Sequence, residues 1–215
     1  MSGVPDVGLI VAVKHLPAAK TRLTPLFDAE QRQRLVLAML VDTLTAALAV
    51  PAVKSLTVVT PDLTAAEAVR ELGGQVLMDP TAPDHPDPLN NAILAACDAV
   101  HPHIANIVVL QGDLPALRSS ELHAALTSAP VHGRSFVTDR QASGTAALFG
   151  FGVHPGPLFG AGSAGRHRDS GAVELVGDWP GLRCDIDTPE DLAEAQRLGV
   201  GAATSAAISG RRVSG

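Results

Sequence analysis

The stretch NIVVLQGDLPAL, residues 106–117, carries a run of apolar residues that stops just before a single acid. Residues 106–110 have the continuous apolar character of a strand that is covered on both faces of a parallel sheet. Asp113 follows this run, and Pro115 stiffens the turn after it. Because ligands bind at the carboxyl ends of the strands in open α/β sheets, the stretch predicts that Asp113 faces a ligand crevice.

Other short β-branched runs alternate with segments of helical period along the chain. Besides residues 106–110, the strand candidates lie at 8–13, 55–60, 75–78 and 134–138. This alternation predicts an α/β protein, a three-layer αβα sandwich with a mostly parallel, Rossmann-like sheet and right-handed crossovers. Ligands then belong at the edge of the sheet that the carboxyl ends of its strands form.

Capping residues mark where the helices between these strands begin. Asp28 with Gln31 forms a capping box for a helix that should end near Pro51. Thr64 is predicted as the N-cap of a second helix, and Thr188 as the N-cap of the last one. These signals place helices between the strands, as the predicted sandwich requires.

Length and composition predict one globular domain. Of the 215 residues, 46% are hydrophobic and 18% are charged, a balance that favours a folded core over disorder. We expect a single domain over residues 1–198 and a mobile tail over residues 199–215, which are small, polar and aperiodic. A net charge of -6 without a basic run excludes a nucleic-acid partner from our expectations. The lack of a leader or a long apolar segment predicts a cytoplasmic protein without membrane contact.

A second acidic segment, LRCDIDTPEDL at residues 182–192, carries Asp185 and Asp187 on alternate positions of a predicted short strand. Both side chains then project from one side, and two such acids repel each other unless a cation joins them. Carboxylates are hard oxygen ligands that suit Mg²⁺. We predict Asp113 with Asp185 as the magnesium pair. Asp187 is predicted as a third ligand or as a residue that holds the pair in place.

Each acid also has a simpler interpretation. Asp113 alone is equally compatible with a helix cap or with a partner for loop amides. Asp187 lies directly before the helix-start signal at Thr188, and part of its role belongs to that signal.

Cations concentrate in KHLPAAKTRL, residues 14–23, directly after the first predicted strand. On such a loop, Lys14, Lys20 and Arg22 can wrap and neutralise a triphosphate together with backbone amides. The segment is not a P-loop, because the glycines and the Lys-Ser/Thr ending of that motif are absent. An ordinary solvated basic loop is the alternative.

Two segments rich in small residues, at 143–150 and 159–175, can let backbone amides converge on an anion. Thr145 and Ser163 add hydroxyl donors to these segments, and flexible surface loops are the alternative. Asn90 lies at a helix entrance, where its amide could read a base edge or simply cap the helix.

Five segments together resemble the phospholactate guanylyltransferase family. They are VAVKHLPAAKTRL, DPLNNAI, VVLQGDLPAL, SGTAALFGFG and LRCDIDTPEDL, in that order over residues 8 to about 198. The family belongs to the nucleotidyltransferases with the glycosyltransferase-A type fold. The similarity is particularly close to its bacterial members, which use phosphoenolpyruvate and serve deazaflavin coenzyme biosynthesis. The segments are specific in combination, whereas DTPEDL alone is shared with other nucleotidyltransferases.

The resemblance implies transfer of GMP from GTP to phosphoenolpyruvate, which gives enolpyruvyl-diphospho-5'-guanosine and pyrophosphate. It implies Mg²⁺ as the cofactor, and Asp113, Asp185 and Lys20 as the catalytic residues. The loop at 14–23 is similar to the one that embraces the GTP phosphates. From its place at a helix entrance, Asn90 is a further candidate for a nucleotide contact. The residues implied to bind phosphoenolpyruvate are Thr145, Gly160 and Ser163.

Two other functions stay open at this point. One is a guanylyltransferase that acts on 2-phospho-L-lactate or another small phosphate, and the other is a regulatory nucleotide-binding module without catalysis. A phosphate acceptor is already ionised near neutral pH, so the reaction needs no general base and no nucleophilic side chain. A homo-oligomer is compatible with the sequence.

Overall fold

The computed structural model describes residues 4–16, 19–82 and 84–210. Seven strands form one sheet in this part of the chain. The strands are β1 (Val7–Ala12), β2 (Val53–Val59), β3 (Gln75–Leu77), β4 (Asn106–Leu110), β5 (Arg134–Thr138), β6 (Thr145–Phe151) and β7 (Val173–Glu174). The helices are α1 (Ala29–Leu48), α2 (Leu63–Glu71), α3 (Pro88–Val100), α4 (Ser119–Ser128), α5 (Ser163–Asp169), α6 (Pro189–Leu198) and α7 (Ala202–Ser209).

The sheet has the strand order β3-β2-β1-β4-β6-β5-β7. β1 pairs in parallel with β2 and β4, and β2 pairs in parallel with β3. β6 runs antiparallel to its two neighbours, β4 and β5. The predicted mostly parallel α/β sheet is therefore confirmed, with one reversed strand inside it.

The reversed strand lies where the sequence predicted an anion-binding loop. Residues 145–151 are all buried and pair along their length between β4 and β5, so the prediction of a glycine-rich loop is wrong for this part of 143–150. The stretch is apolar enough to serve as a central strand, which its glycines obscured. Because β6 is reversed, its first residue, Thr145, lies at the edge where the parallel strands end.

Helices cover both faces of the sheet. Alternate strand residues enter different cores: Leu9 and Val11 of β1 pack on one face, and Ile10 packs on the other. Helices α1, α2, α4 and α6 contribute to the first core, whereas α3 and α5 contribute to the second. This arrangement is the predicted three-layer sandwich. Of the helices in the described ranges, none combines the length and apolar character of a membrane span.

The helix starts match the sequence at two of three predicted positions. Asp28 forms the predicted capping box with Gln31, and Thr188 caps α6. The predicted N-cap at Thr64 is wrong, because Asp62 caps α2 instead and accepts hydrogen bonds from the backbone N–H of Thr64 and Ala65. Asp62 thereby satisfies the first free amides of the helix two positions earlier than predicted.

The predicted mobile tail contains a helix. Residues 202–209 form α7, whose first turn is held by Asp42 of α1: the carboxylate accepts from the backbone N–H of Ala203 at 3.1 Å and of Thr204 at 2.7 Å. No local capping signal marks this helix in the sequence, because the carboxylate that binds its first amides belongs to another element. Residues 211–215 of the predicted tail lie outside the described residues.

Candidate active site

A groove crosses the edge where β1, β2 and β4 end and β6 begins. Its first cavity, of about 330 Å³, is lined by residues that include Lys14 and Asp79. A second cavity, of about 210 Å³, shares Lys14 with the first and adds Lys20 and Asp113. Leu89 lines both, so the two cavities are neighbours along one groove. We call them together the nucleotide cavities.

A third cavity, of about 410 Å³, continues the groove past Leu89 and Gln111. Its walls include Thr145, Ser163 and Asp185. We call it the acceptor cavity. Asp113, which follows β4, and the acids Asp185 and Asp187 therefore lie where the nucleotide and acceptor cavities join, as their predicted places at the sheet edge require.

Asp113 and Asp185 each present a buried carboxylate oxygen to this junction. The Oδ1 atoms of both residues are buried and have no hydrogen-bond partner in the described structure. Burial, together with the nearby carboxylates of Asp113 and Asp139, raises the pKa of Asp185 to about 7. Two buried oxygens without partners are costly unless a cation approaches them. The predicted pairing of Asp113 with Asp185 at one site is supported by this geometry.

Lys20 is the cation that contacts this acidic cluster. Its Nζ donates to Asp113 Oδ2 and, at 2.7 Å, to Asp187 Oδ1. Burial opposes the ammonium charge, but the ion pairs with Asp113 and Asp187 outweigh burial and raise the pKa of Lys20 above its ordinary value. The Lys20 backbone has φ 54° and ψ 44°, in the left-handed region that a lysine rarely adopts. Such strain, at a residue that makes two ion pairs, is typical of a functional position.

The segment with Asp185 and Asp187 differs from the predicted short strand. Residues 184–187 have no regular secondary structure, yet both side chains line the acceptor cavity, as the alternating pattern predicted. No three His, Cys, Asp or Glu side chains of the described ranges are placed to share one ion. Asp187 instead contacts Lys20, which also contacts Asp113. This contact suits the second of its two predicted roles, a residue that holds the pair in place.

Two buried acids that the sequence did not single out hold the cavity walls. Glu121 accepts from the backbone N–H groups of Gly181 and Leu182 at 3.0 Å, which anchors the segment that leads to Asp185. Asp139 does the same for the turn between β5 and β6, since it accepts from Ser143 N at 2.9 Å and Gly144 N at 2.7 Å. Both are charged hydrogen bonds to buried or partly buried amides, which fix backbone position strongly.

The three residues implied to bind phosphoenolpyruvate come together in the acceptor cavity. Thr145 and Ser163 are 2% and 1% exposed, and Ser163 Oγ lies 3.1 Å from Thr145 Oγ1. Gly160 lines the same cavity with φ +117°, a conformation that other residues avoid. Ser163 begins α5, so the predicted loop at 159–175 is partly helical.

The basic loop at 14–23 lies along the groove. Lys14 is exposed and lines both nucleotide cavities, whereas Arg22 is exposed and lines the acceptor cavity. Within the loop, Leu16 N donates to Asp62 Oδ2 at 3.1 Å, which ties the loop to the start of α2. The cations predicted for the loop thus face the groove, but they spread along it instead of forming one cluster.

Asn90 has a different place from the predicted base contact. It is 5% exposed, its Nδ2 donates to Phe159 O at 3.0 Å, and its Oδ1 accepts from Phe159 N at 2.7 Å. Its Nδ2 also donates to Asp87, the N-cap of α3. The amide is therefore engaged by the protein on both sides, and Asn90 fastens α3 to the loop before Gly160.

The chain is similar to known proteins in both sequence and fold. Residues 7–149 match the family model described as guanylyl transferase CofC like. The chain belongs to this family. A phosphoenolpyruvate guanylyltransferase of Mycolicibacterium gilvum is 66% identical over 204 residues, which are 95% of this chain and 95% of that protein. One of Mycolicibacterium paratuberculosis is 62% identical over 96% of this chain and 94% of that protein.

Solved structures support the same fold for this family member. A structure from Desulfovibrio desulfuricans G20, assigned to the nucleotide-diphospho-sugar transferases, superposes with a TM-score of 0.69 at 16% identity. The match covers 95% of this chain and 97% of that one. At such identity the likeness concerns the architecture alone.

Proposed function

We propose that this family member transfers GMP from GTP to phosphoenolpyruvate. An oxygen of the acceptor phosphate attacks the α-phosphorus of GTP, the bond to the β-phosphate oxygen breaks, and pyrophosphate leaves. The product is enolpyruvyl-diphospho-5'-guanosine. The observation that carries the proposal is the meeting of the two unpartnered carboxylate oxygens of Asp113 and Asp185 with a cavity of hydroxyl donors and a lysine. The names of the relatives at 66% and 62% identity support the choice of both substrates.

The nucleotide cavities fit GTP in their chemistry. The first one is mostly apolar and carries Asp79, whose Oδ1 accepts from Thr81 N at 2.9 Å. A carboxylate offers only acceptors, and guanine presents adjacent N–H donors at N1 and N2, whereas adenine presents an acceptor at N1. We assign the base to this cavity and the phosphates to the second one, beside Lys14 and Lys20.

The acceptor cavity suits a small anion with two charged ends. Its hydroxyls come from Thr145 and Ser163, and the glycines around Gly160 leave the backbone accessible. Arg22 lines the same cavity and supplies a cation for a phosphate or carboxylate. Because the acceptor phosphate is already ionised near neutral pH, no side chain has to remove a proton from it.

Asp113 and Asp185 fit Mg²⁺ as a cofactor. Both offer a buried oxygen without a partner, and Mg²⁺ commonly takes one or two carboxylates and completes its shell with substrate phosphates and water. When bound, the ion would neutralise charge that develops on the phosphates. Asp187 also lines the acceptor cavity, but its Oδ1 accepts from Lys20 Nζ at 2.7 Å.

Lys20 contributes the remaining positive charge at the junction. Its ion pairs keep it protonated and place its Nζ beside Asp113, between the nucleotide cavities and the acids of the acceptor cavity. A fixed cation at this point reduces repulsion between the two anionic substrates and stabilises negative charge on the transferred group. We therefore propose Lys20, Asp113 and Asp185 as the catalytic residues.

The test is to incubate the protein with GTP, Mg²⁺ and phosphoenolpyruvate and to weigh the products by mass spectrometry. We expect pyrophosphate and enolpyruvyl-diphospho-5'-guanosine, and neither with Asp113→Ala or after complete chelation of Mg²⁺. A parallel reaction with 2-phospho-L-lactate separates the acceptors, and guanylylated lactate as the sole product would overturn our choice. Tight GTP binding without turnover of any acceptor would instead mark a regulatory nucleotide-binding protein. Use of the product in deazaflavin coenzyme biosynthesis stays a prediction.

A further inference from the structure

His167 lies behind the acceptor cavity and has no role in the mechanism above. It belongs to α5, is 0% exposed, and packs between the rings of Phe136 and Phe159. Both ring nitrogens have partners: Nε2 lies 2.9 Å from Leu158 N, and Nδ1 lies 2.8 Å from Thr145 Oγ1. A fully buried imidazole with two such contacts is fixed in place.

The contacts decide which nitrogen carries the proton. The backbone N–H of Leu158 can only donate, so Nε2 must accept. Burial, with Arg134 and Arg166 nearby, lowers the pKa of His167 to about 4, and the ring is therefore neutral at pH 7. Its single proton then sits on Nδ1, which donates to Thr145 Oγ1. The ring also interacts with the backbone carbonyl of Ser163, which can only accept.

The Thr145 and Ser163 hydroxyls together keep one proton that no protein group has to accept. Thr145 and Ser163 each own one hydroxyl proton, and the 3.1 Å contact between them uses one of the two. Because Nδ1 of His167 donates, it takes neither proton. One hydroxyl proton is left, on Thr145 or on Ser163, and both residues line the acceptor cavity.

The opposite tautomer would remove this donor. If Nδ1 were the acceptor, Thr145 would give its proton to His167, and Ser163 would give its proton to Thr145. These two hydroxyls would then present only oxygen lone pairs to the cavity, and lone pairs repel an anion. The direction of these hydrogen bonds therefore depends on the Leu158 N–H and on the His167 ring, which lies between Leu158 and Thr145.

We propose that His167 is a positioning residue that makes the Thr145–Ser163 hydroxyl pair a hydrogen-bond donor to the anionic acceptor. This inference rests on the proposed function for the identity of that anion, phosphoenolpyruvate. His167 does not touch the acceptor and transfers no proton. It acts by fixing the hydroxyls before the acceptor arrives, so that no reorganisation is needed on binding.

The tautomer can be read directly in the protein without ligands. ¹⁵N-labelled histidine in the full chain should show, at pH 7, a protonated Nδ1 and an unprotonated Nε2 for His167 in NMR spectra. His167→Asn identifies the signal by its disappearance. A protonated Nε2, or a doubly protonated ring, would overturn the inference whatever the enzyme's substrate is.

Two matched variants test the consequence for binding. In His167→Asn, the amide Nδ2 can take the place of Nδ1 and still donate to Thr145. In His167→Gln, the amide reaches the position of Nε2 and can still accept from Leu158, but the donor to Thr145 is lost. We expect the KM for phosphoenolpyruvate to rise about tenfold in His167→Gln, the effect of one hydrogen bond to a charged group, and to stay within about threefold in His167→Asn. The KM for GTP should change in neither.

A double-variant comparison removes effects of general damage. If His167 acts through the hydroxyls, His167→Gln should add no further rise in the phosphoenolpyruvate KM once Thr145→Val is present. Equal shifts in both His167 variants, equal shifts in both substrates' KM, or additive effects with Thr145→Val would overturn the inference. Failure of the wild-type protein to bind or turn over phosphoenolpyruvate would overturn the proposed function, while the NMR result would still decide the tautomer.

Discussion

The acceptor cavity and the nucleotide cavities are held together by different means. In the acceptor cavity, which the exposed Arg22 and Asp187 also line, the Thr145 hydroxyl is buried and fixed by His167, and the Ser143–Gly144 turn is held by Asp139. In the nucleotide cavities the main cation besides Lys20 is the long, exposed side chain of Lys14. The Thr145 and Ser143–Gly144 side of the acceptor cavity is held in place before the substrate binds, whereas the nucleotide cavities depend more on side chains that can move.

The difference follows the size of the two proposed substrates. Phosphoenolpyruvate is small and offers few contacts, so each contact has to be aligned before binding to contribute fully. A triphosphate carries several charges and can be gathered by flexible cations, at the cost of the side-chain entropy lost when they are immobilised. Changes on the acceptor side should therefore affect the alignment and binding of phosphoenolpyruvate, whereas changes at the exposed cations of the nucleotide side should affect the affinity for GTP in a salt-dependent way.

The largest effect should come from Asp185, which lies at the junction and serves both regions. Asp185→Asn should lower kcat by about 100-fold or more, because one carboxylate oxygen of the proposed magnesium pair is lost. Without divalent ions its melting temperature should stay level or rise, since the neutral amide removes a buried charge beside Asp113 and Asp139. Steady-state kinetics and thermal unfolding measure the two quantities.

The matched control for this change is Asp98→Asn. Asp98 has a side chain that is 77% exposed, and it forms a long ion pair with His154 at the far end of α3. The Asp98→Asn substitution should alter neither kcat nor the melting temperature. A large fall in melting temperature for Asp185→Asn would mark Asp185 as a structural residue and would contradict its proposed role as a magnesium ligand.

The second effect concerns the prearranged acceptor side and its buried histidine. The folded-state pKa of His167, about 4, lies below the ordinary value of 6.5, so below pH 6.5 the unfolded chain takes up a proton that the folded protein refuses. The free energy of unfolding should therefore fall between pH 6.5 and pH 4, by up to about 3 kcal/mol from this group. Urea unfolding at pH 7 and pH 4.5 measures the loss.

His167→Asn serves as the comparison, because it has no titrating group at this position. The difference in unfolding free energy between the wild-type protein and this variant should narrow towards pH 4.5. A difference that is independent of pH would show that the imidazole is accessible to protons in the folded protein, and the acceptor side would then be less rigid than its contacts indicate.

The third effect concerns the base end of the nucleotide cavities. The contact assigned there is the short side chain of Asp79, unlike the long, exposed cation that serves the phosphates. Asp79→Asn should reduce the preference for GTP over inosine triphosphate, which lacks the amino group at C2, by about tenfold. Asp84→Asn, an exposed acid on the same segment, is the control and should keep the preference. An unchanged preference in Asp79→Asn would place the base elsewhere.

The smallest effect sharpens the comparison on the nucleotide side. Lys14→Gln should raise the KM for GTP about threefold at low salt, and the rise should shrink as salt screens the exposed charge. The KM for phosphoenolpyruvate should not change. Lys54→Gln, at an exposed position that pairs with Asp6 away from the groove, is the control. A rise that is equal at all salt concentrations would mean that Lys14 is buried by the bound nucleotide.

Local patterns predicted the frame of the fold and most of the site. The apolar run at 106–110 and the acid after it needed only their own neighbours in sequence, and so did the caps at Asp28 and Thr188. Thr145 and Ser163 were assigned through family resemblance and do line one cavity. These features are local or carried by recognisable segments, which is why the sequence was sufficient.

The N-cap at Asp62 and strand β6 are local features that the sequence patterns missed, and the other missed features depend on contacts between distant segments. Asp42 caps α7 from 162 positions away at Thr204, and Asn90 binds Phe159 across 69 positions. His167 was visible as a histidine near a candidate loop, but its tautomer follows from the Leu158 N–H, which only the folded chain brings to Nε2. The one available signal for Asp139 was its place directly after the predicted strand at 134–138 and shortly before Gly144.

The two hydrogen bonds between Asn90 and the Phe159 backbone act as a mechanical link. The helix that carries Asn90 also contributes Leu89, which lines all three cavities, and Phe159 directly precedes Gly160. If one substrate shifts this helix when it binds, the walls of the cavity that binds the other substrate should therefore move as well. Thermodynamic reciprocity then requires each substrate to change the affinity of its partner by the same factor.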